Sequence, residues 1–281
     1  MRYGFIGVGK MGGAILKGLL DSGSISREKT YINGRDFEKT RKQAYDLSIR
    51  ALESKNELVR FSDVIFIGVE PGAFPDVMPL VAEAYTPEKI VVSMAAGVTI
   101  AAIESYLGSD AKIVRIMPNA PARVGEMMAS VSVNSNITED EQKMMISLLS
   151  GMGKAAVVSE DLISAVIGVS GSSPAYTYMY IKALAEAAGE YGMDEKEALV
   201  FAAQAVLGAA KIVLTECTSS GEDDGQDTVD IDSLIDSVCT PGGTTIEAVR
   251  SLKDNDFEKI VKKGAAAAIE KSAAMSRDSE H

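Results

Sequence analysis

Six consecutive residues, Thr240, Pro241, Gly242, Gly243, Thr244 and Thr245, join a turn stripped of side chains to a pair of hydroxyls. Pro241 presets one φ and suits a turn that precedes a helix. Gly242 and Gly243 let a ligand come close to the backbone. Thr244 and Thr245 start a helix, whose first amides carry partial positive charge and bind anions, carboxylates among them. For Pro-Gly-Gly alone an ordinary helix cap is the plainer account. Two hydroxyls beside two glycines favour a small-ligand site.

A second stretch holds Gly7, Val8, Gly9, Lys10, Met11 and Gly12, a G-x-G-x-x-G run. It follows the strand-like residues 2–8 and precedes apolar residues at helical spacing, Ile15, Leu16, Leu19 and Leu20. In that setting Gly7 makes a tight turn, Gly9 admits a pyrophosphate and Gly12 lets helix and strand approach. The chemistry to expect is hydride transfer with a bound dinucleotide.

What is missing narrows that chemistry. The only histidine is His281, no G-x-S-x-G setting occurs, and Cys217 and Cys239 fall in no metal-ligand spacing. Free thiols are the expected state, with a disulfide between the two as the alternative, and no metal is expected. Reducing a ketone makes an alkoxide that needs a proton donor. Reducing an already protonated cyclic imine gives a neutral amine and needs none. Hydroxyls, glycines and a helix terminus suit the second reaction better.

These residues must be carried by elements. Strand patterns recur at residues 30–33, 64–69, 90–94, 112–117 and 128–133, with helical patterns at 74–85 and 99–107. Such alternation predicts a Rossmann-type, doubly wound, mainly parallel sheet over residues 1–158. Cofactor contacts then gather at strand C-termini: residues 7–12, 33–35, 69–71, 95–97 and 117–121. At the end of the second strand an NAD site carries an acid; here Asn33, Gly34 and Arg35 follow one another. Asn33 removes a charge that would repel a 2′-phosphate and Arg35 can pair with it, so NADP is the expected cofactor, with NADH possible. Lys39, Arg41 and Lys42 add positive charge, while Asp36 is an acid within reach of a ribose.

After residue 158 strand patterns stop, and residues 159–281 read as an all-helical domain. A helix opens at Ser170, Gly171, Ser172, Ser173 and Pro174 and is apolar almost all round to Gly189. A partner subunit is the economical way to bury it, so a homodimer or a higher oligomer built from dimers is expected. Further helices are expected at 195–214 and 256–275, and a solvated acidic loop at 218–236 that lacks calcium-loop spacing. The first 158 residues carry equal numbers of acidic and basic side chains, so the whole formal charge of −12 falls after them. That argues against nucleic acid and anionic membrane as partners. No uninterrupted apolar run approaches the ~20 residues of a membrane span. Met1 and Arg2 lead straight into a strand pattern without a leader, and a cytoplasmic chain is expected.

The segment VCTPGGTTIEAV resembles the signature of pyrroline-5-carboxylate reductases, and GFIGVGKMGGAI resembles the opening of the same family. Val69, Glu70 and Pro71 match the family's VKP segment with Glu for Lys. Ala96 and Gly97, then Pro118 and Asn119 within MPNAP, match segments that flank nicotinamide and substrate. SGSSPAY matches SGSGPAY with one Gly-to-Ser change, and the family's Asn-Arg pair stands one residue out of register at Asn33 and Arg35. The resemblance implies a C-terminal dimerisation domain and NADPH-dependent reduction of 1-pyrroline-5-carboxylate to L-proline. It implies substrate contacts from Ser170, Gly171, Ser172, Thr240, Gly242, Gly243 and Thr244, with Thr245 on the ring nitrogen. Amides of Gly243 and Thr244 would hold the carboxylate. Two other readings stay open. One is a β-hydroxyacid-type dehydrogenase using Lys182 as acid/base, though that family's glycine-rich lysine motif is absent. The other is a non-catalytic NADP-binding regulator, to which Glu70, Ser173 and the acidic segment point.

Overall fold

The computed structural model describes residues 1–219 and 229–278. Its sheet unit alternates β1 (Tyr3–Ile6), α1 (Lys10–Asp21), β2 (Thr30–Asn33), α2 (Phe37–Leu47), β3 (Arg50–Ala51), α3 (Lys55–Phe61) and β4 (Val64–Ile67). It continues through α4 (Phe74–Ala82), β5 (Ile90–Ser93), α5 (Ile100–Leu107), β6 (Lys112–Met117), β7 (Met127–Val133), α6 (Glu139–Ser150) and β8 (Gly153–Val157). The strands lie in the order β3-β2-β1-β4-β5-β6-β7-β8. Every described pairing is parallel except β6 with β7. Strand order reverses between β1 and β4, the place where open α/β sheets bind ligands.

The expected doubly wound, mainly parallel sheet is therefore present. Strands β1, β2, β4 and β5 are buried along their whole length, because helices cover both faces. On one face α1 sets Ile15, Leu16, Leu19 and Leu20 against Phe5 and Phe66, whose rings stack 4.5 Å apart. Burying those four aliphatic side chains contributes at most ~6–12 kcal/mol gross. The other face packs Leu58, Val59, Met78, Val81 and Ile103.

Two strands escaped the sequence reading. β3 is only two residues long, and β8 carries Lys154 and two alanines, so neither shows a strand pattern.

The later helices are α7 (Ile163–Val166), α8 (Ser173–Glu190), α9 (Glu195–Ser219), α10 (Ile231–Val238), α11 (Thr244–Asp254) and α12 (Phe257–Asp278). A π-helical turn, Ile167–Gly171, follows α7. The acidic loop expected at 218–236 lies outside the described residues at 220–228. Its described part differs from expectation: Asp230 caps Ser233 and starts α10. Both cysteines are free thiols. α9 also departs from expectation, since residues Glu195–Cys217 reach a mean hydropathy of 1.9 and could cross a membrane by length and composition. Isolated polar residues, Gln204 and Lys211, interrupt the apolar run, yet the mean stays at 1.9.

Compactness divides the chain into Met1–Pro174 with Ala265–His281, and Ala175–Gly264. The boundary expected at 158/159 falls earlier because it marks where helical patterns take over the sequence. The end of α12 joins the sheet unit through tight contacts: a Cβ on Gly168 would meet Ile269, one on Gly97 would meet Met275 at 3.2 Å, and Ser164 and Ser272 hydroxyls lie 3.1 Å apart.

Candidate active site

In the sheet unit, β1 is followed by Gly7, which adopts φ +88 and donates its N–H to the Asn33 carbonyl at 2.9 Å. A side chain here would be strained and would stand 2.8 Å from the Gly68 backbone. A Cβ on Gly12 would collide with the Gly7 carbonyl oxygen, whereas one on Gly9 would meet nothing within 4 Å. The three glycines thus turn the chain, hold α1 close and leave open space over Gly9. Gly9 caps α1 without a side chain and the first turn of α1 holds no acid. Its amides are left to an anion.

Two cavities adjoin this turn. One of about 640 Å³ is lined by Gly9, Asn33, Arg35, Lys39, Lys55 and Glu70, among others. The second, about 930 Å³, shares Gly9, Lys39 and Glu70 and adds Lys10, Met11, Pro71 and Ala96. Val8 and Val69 line both. Asn33 is 1% exposed. Its Nδ2 donates to the carbonyls of Leu52 (2.8 Å) and Glu53 (2.9 Å), while Oδ1 has no partner. An orphaned buried oxygen costs ~1–3 kcal/mol, and a ribose hydroxyl donor would relieve it. The bare helix terminus, the open space over Gly9 and this oxygen fit a dinucleotide.

The neighbouring charges are sorted by their partners. Asp36 caps α2, its Oδ1 accepting from the Lys39 N–H at 3.0 Å, and it also lines the first cavity. Arg41 pairs with Glu38 at 2.7 Å and Lys42 lines only the second cavity. Arg35 and Lys39 line the first. Lys55, first residue of α3, lines it too and was missed by the sequence reading, which placed no helix there. Ser54, which caps α3 on the Glu57 N–H, followed by Glu57 three residues on, was the available signal.

Ala96 and Gly97 lie on the turn after β5, where Gly97 adopts φ +80. The Glu160 carboxylate steadies this region, accepting from the Ile100 N–H and from Arg115 Nη1, each at 2.8 Å. Beyond β6, Pro118 and Asn119 are buried. Asn119 Oδ1 accepts from the Met128 N–H at 3.0 Å, and Nδ2 donates to Ser170 at its carbonyl (3.3 Å) and Oγ (3.2 Å). Ser170 and Gly171 belong to the π turn, closed by the Ser172 N–H on the Ile167 carbonyl at 2.8 Å. Ser170, Gly171 and Ser172 are half-buried.

In the helical unit, Thr240, Pro241, Gly242 and Gly243 form one turn, with Gly242 at φ +72. Pro at the second position and Gly with positive φ at the third are the residues a type II turn requires. The Gly243 N–H closes it on the Thr240 carbonyl at 2.9 Å. That amide, expected on a carboxylate, is engaged within the turn. The amides that open outward are those of Thr244 and Thr245, at the start of α11, which no side chain caps. Lys182, on α8, pairs with Glu186 at 3.4 Å and is 73% exposed.

Comparison with known proteins gives a consistent picture. Residues 160–275 match the family profile described as pyrroline-5-carboxylate reductase dimerisation. Residues 2–97 match that described as NADP oxidoreductase coenzyme F420-dependent. Pyrroline-5-carboxylate reductase of Escherichia coli (strain K12) is 40% identical over 98% of both chains. That of Methanosarcina acetivorans is 37% identical over 90% of both. Among solved structures, Plasmodium falciparum pyrroline carboxylate reductase with NADP bound aligns with TM-score 0.84 and 27% identity over 98% of both chains. A pyrroline-5-carboxylate reductase from Coxiella burnetii aligns with TM-score 0.85 and 28% identity, again over 98%.

Proposed function

The chain belongs to the pyrroline-5-carboxylate reductase family, and from that premise we propose how its residues divide the work. It is an NAD(P)H-dependent oxidoreductase that reduces 1-pyrroline-5-carboxylate to L-proline, uses NADP(H) and assembles as a homo-oligomer. The finer reading is a dimer, alone or as the unit of a larger ring, working in the cytoplasm.

The cofactor's pyrophosphate is received by the amides of Lys10 and Met11 over Gly9, and its 2′-phosphate by Arg35 with Lys39 and Lys55. Asn33 Oδ1 takes a ribose hydroxyl. Val69, Pro71, Ala96 and Gly97 wall the remainder. When bound, the reduced nicotinamide supplies a hydride to the imine carbon. The C=N π pair then moves to a nitrogen already protonated, so a neutral amine forms and no side chain delivers a proton in that step. Thr245 Oγ accepts from the iminium N–H and selects which ring face is presented. Amides of Thr244 and Thr245 form a carboxylate-binding helix terminus in the helical unit, and hydroxyls of the 170–172 segment are carboxylate donors in the sheet unit. Thr240 and Gly242 shape the turn that leaves that terminus bare. Orientation supplies most of the acceleration.

The observation that carries this reading is the uncapped start of α11 behind the type II turn. A carboxylate is the anion such a terminus takes, and the neighbouring hydroxyl suits an iminium. The test is to mix purified protein, NADPH and 1-pyrroline-5-carboxylate, following NADPH absorbance and proline together. One proline per NADPH consumed is expected. NADPH binding without turnover would instead favour the regulator.

A further inference from the structure

We propose that Asn119 is a positioning residue that dictates the hydrogen-bond polarity of Ser170, leaving that hydroxyl free to donate to the substrate carboxylate. The proposal rests on the substrate role given above to residues 170–172. The resemblance sets Asn119 in a segment that flanks nicotinamide and substrate, and its side-chain amide is engaged by Met128 and Ser170. The Met128 backbone N–H can only donate, so the atom of Asn119 that faces it at 3.0 Å must be the oxygen. The amide orientation is thereby set, and Nδ2 is aimed at Ser170, 3.2 Å from Oγ and 3.3 Å from the carbonyl. Nδ2 carries hydrogens only, so Ser170 Oγ must accept from it. A serine hydroxyl has one hydrogen, and here it is not needed for the Asn119 contact. Ser170 is left as a donor, the polarity that an anion requires.

The backbone around Ser170 supports a built site. It lies in a π turn, a rare distortion that often marks functional positions. The turn is also packed closely against α12, since Gly168 within it has no room for a Cβ against Ile269. Asn119 is itself buried, so its orientation is not averaged by solvent. An obligate donor on β7, an amide after β6 and a hydroxyl on the π turn form a relay of fixed direction.

Asn119→Asp keeps the size and the acceptor for the Met128 N–H but replaces the donor by an acceptor. Ser170 would then turn its hydrogen back to Asp and lose it for the substrate. Wild type, Asn119→Asp, Ser170→Ala and the double variant are compared for KM and kcat with 1-pyrroline-5-carboxylate, and for Kd with L-proline and with NADPH. Each single variant is expected to raise KM and the L-proline Kd about 10-fold, with kcat within about 2-fold and the NADPH Kd unchanged. The double variant is expected to match the worse single one, because both remove one donor. Additive losses, an effect on the NADPH Kd, or an unchanged KM would overturn the proposal. Should Asn119→Asp fail to fold, Ser170→Ala decides, since it keeps the Asn119 bond to the residue-170 carbonyl; an unchanged KM there overturns it. A wild type that neither binds L-proline nor oxidises NADPH overturns the functional reading and this relay with it. A wild type that does both, matched by Asn119→Asp, overturns the relay alone.

Discussion

The sheet unit and the helical unit spend their apolar residues in opposite ways. In the first, Leu16, Leu19, Phe66, Ile67 and Ile103 are wholly buried within one chain. In the second, the buried hydrophobic residues among those described are three alanines, Ala185, Ala198 and Ala202, while Tyr191 (92%), Met179 (72%) and Phe201 (68%) are exposed. Exposure on that scale is uncommon in a monomer and marks a surface meant to be covered. One chain suffices to build the cofactor turn. The helices around the Thr240–Gly243 turn leave their apolar side chains for a second copy to cover.

The sharpest way to break that contrast is to damage the self-sufficient half. Gly7→Val puts a side chain at φ +88 against the Gly68 backbone. It should weaken NADPH and NADH alike by at least ~100-fold, about 3 kcal/mol, as read by fluorescence titration. Normal binding would remove the glycine turn from the cofactor site. Next is the half that needs a partner. Phe201→Glu should cost the assembly about 2 kcal/mol or more and shift the light-scattering mass towards a single chain. An unchanged mass would mean that this face of α9 is not the covered one.

A smaller effect separates parts within the sheet unit. Arg35→Ala should weaken NADPH about 10-fold by losing one charge-assisted contact and leave NADH nearly untouched. Equal losses for both cofactors would show that Arg35 does not read the 2′-phosphate. The smallest lies far from the site. The hydrogen bond from the Arg2 guanidinium holds the Asp63 carboxyl below its ordinary value, with 2.7 Å between their atoms. Such a depressed group contributes stability above about pH 4, the unfolded value, and loses it as pH falls through the folded one. The pair is partly exposed, so Arg2→Ala should cost at most ~1 kcal/mol at pH 7. That cost should shrink in melts at pH 3, and a cost that does not shrink would mean the pair is not its source.

Legibility followed burial. β1, β4 and β5 are buried throughout and read as near-continuous apolar runs, whereas β2 is equally buried but begins with Thr30 and ends with Asn33. β3 and β8 are the edge strands of the sheet and carry no such run. The glycine turn and the start of α11 were legible because their chemistry is local: positive φ, bare amides, a proline at the right place. What escaped depends on distant partners. The π turn needs α12 behind Gly168 and Asn119 on Ser170, residues 51 and more apart in sequence. Lys55 becomes a cavity residue only once α3 is set beside β2. The Gly243 N–H was given to a ligand because the type II turn that claims it could be suspected but not closed on paper.

The central claim is that a hydroxyl and bare amides perform this reduction without an acid/base side chain. Thr245→Val keeps the β-branched shape and deletes the hydroxyl, so steady-state kinetics and NADPH titration of that variant, beside Lys182→Met, test the claim most directly. The account predicts a fall of ~10–100-fold in kcat/KM for 1-pyrroline-5-carboxylate, an unchanged NADPH Kd, and near-normal turnover for Lys182→Met. Full activity in Thr245→Val together with an inactive Lys182→Met would contradict it.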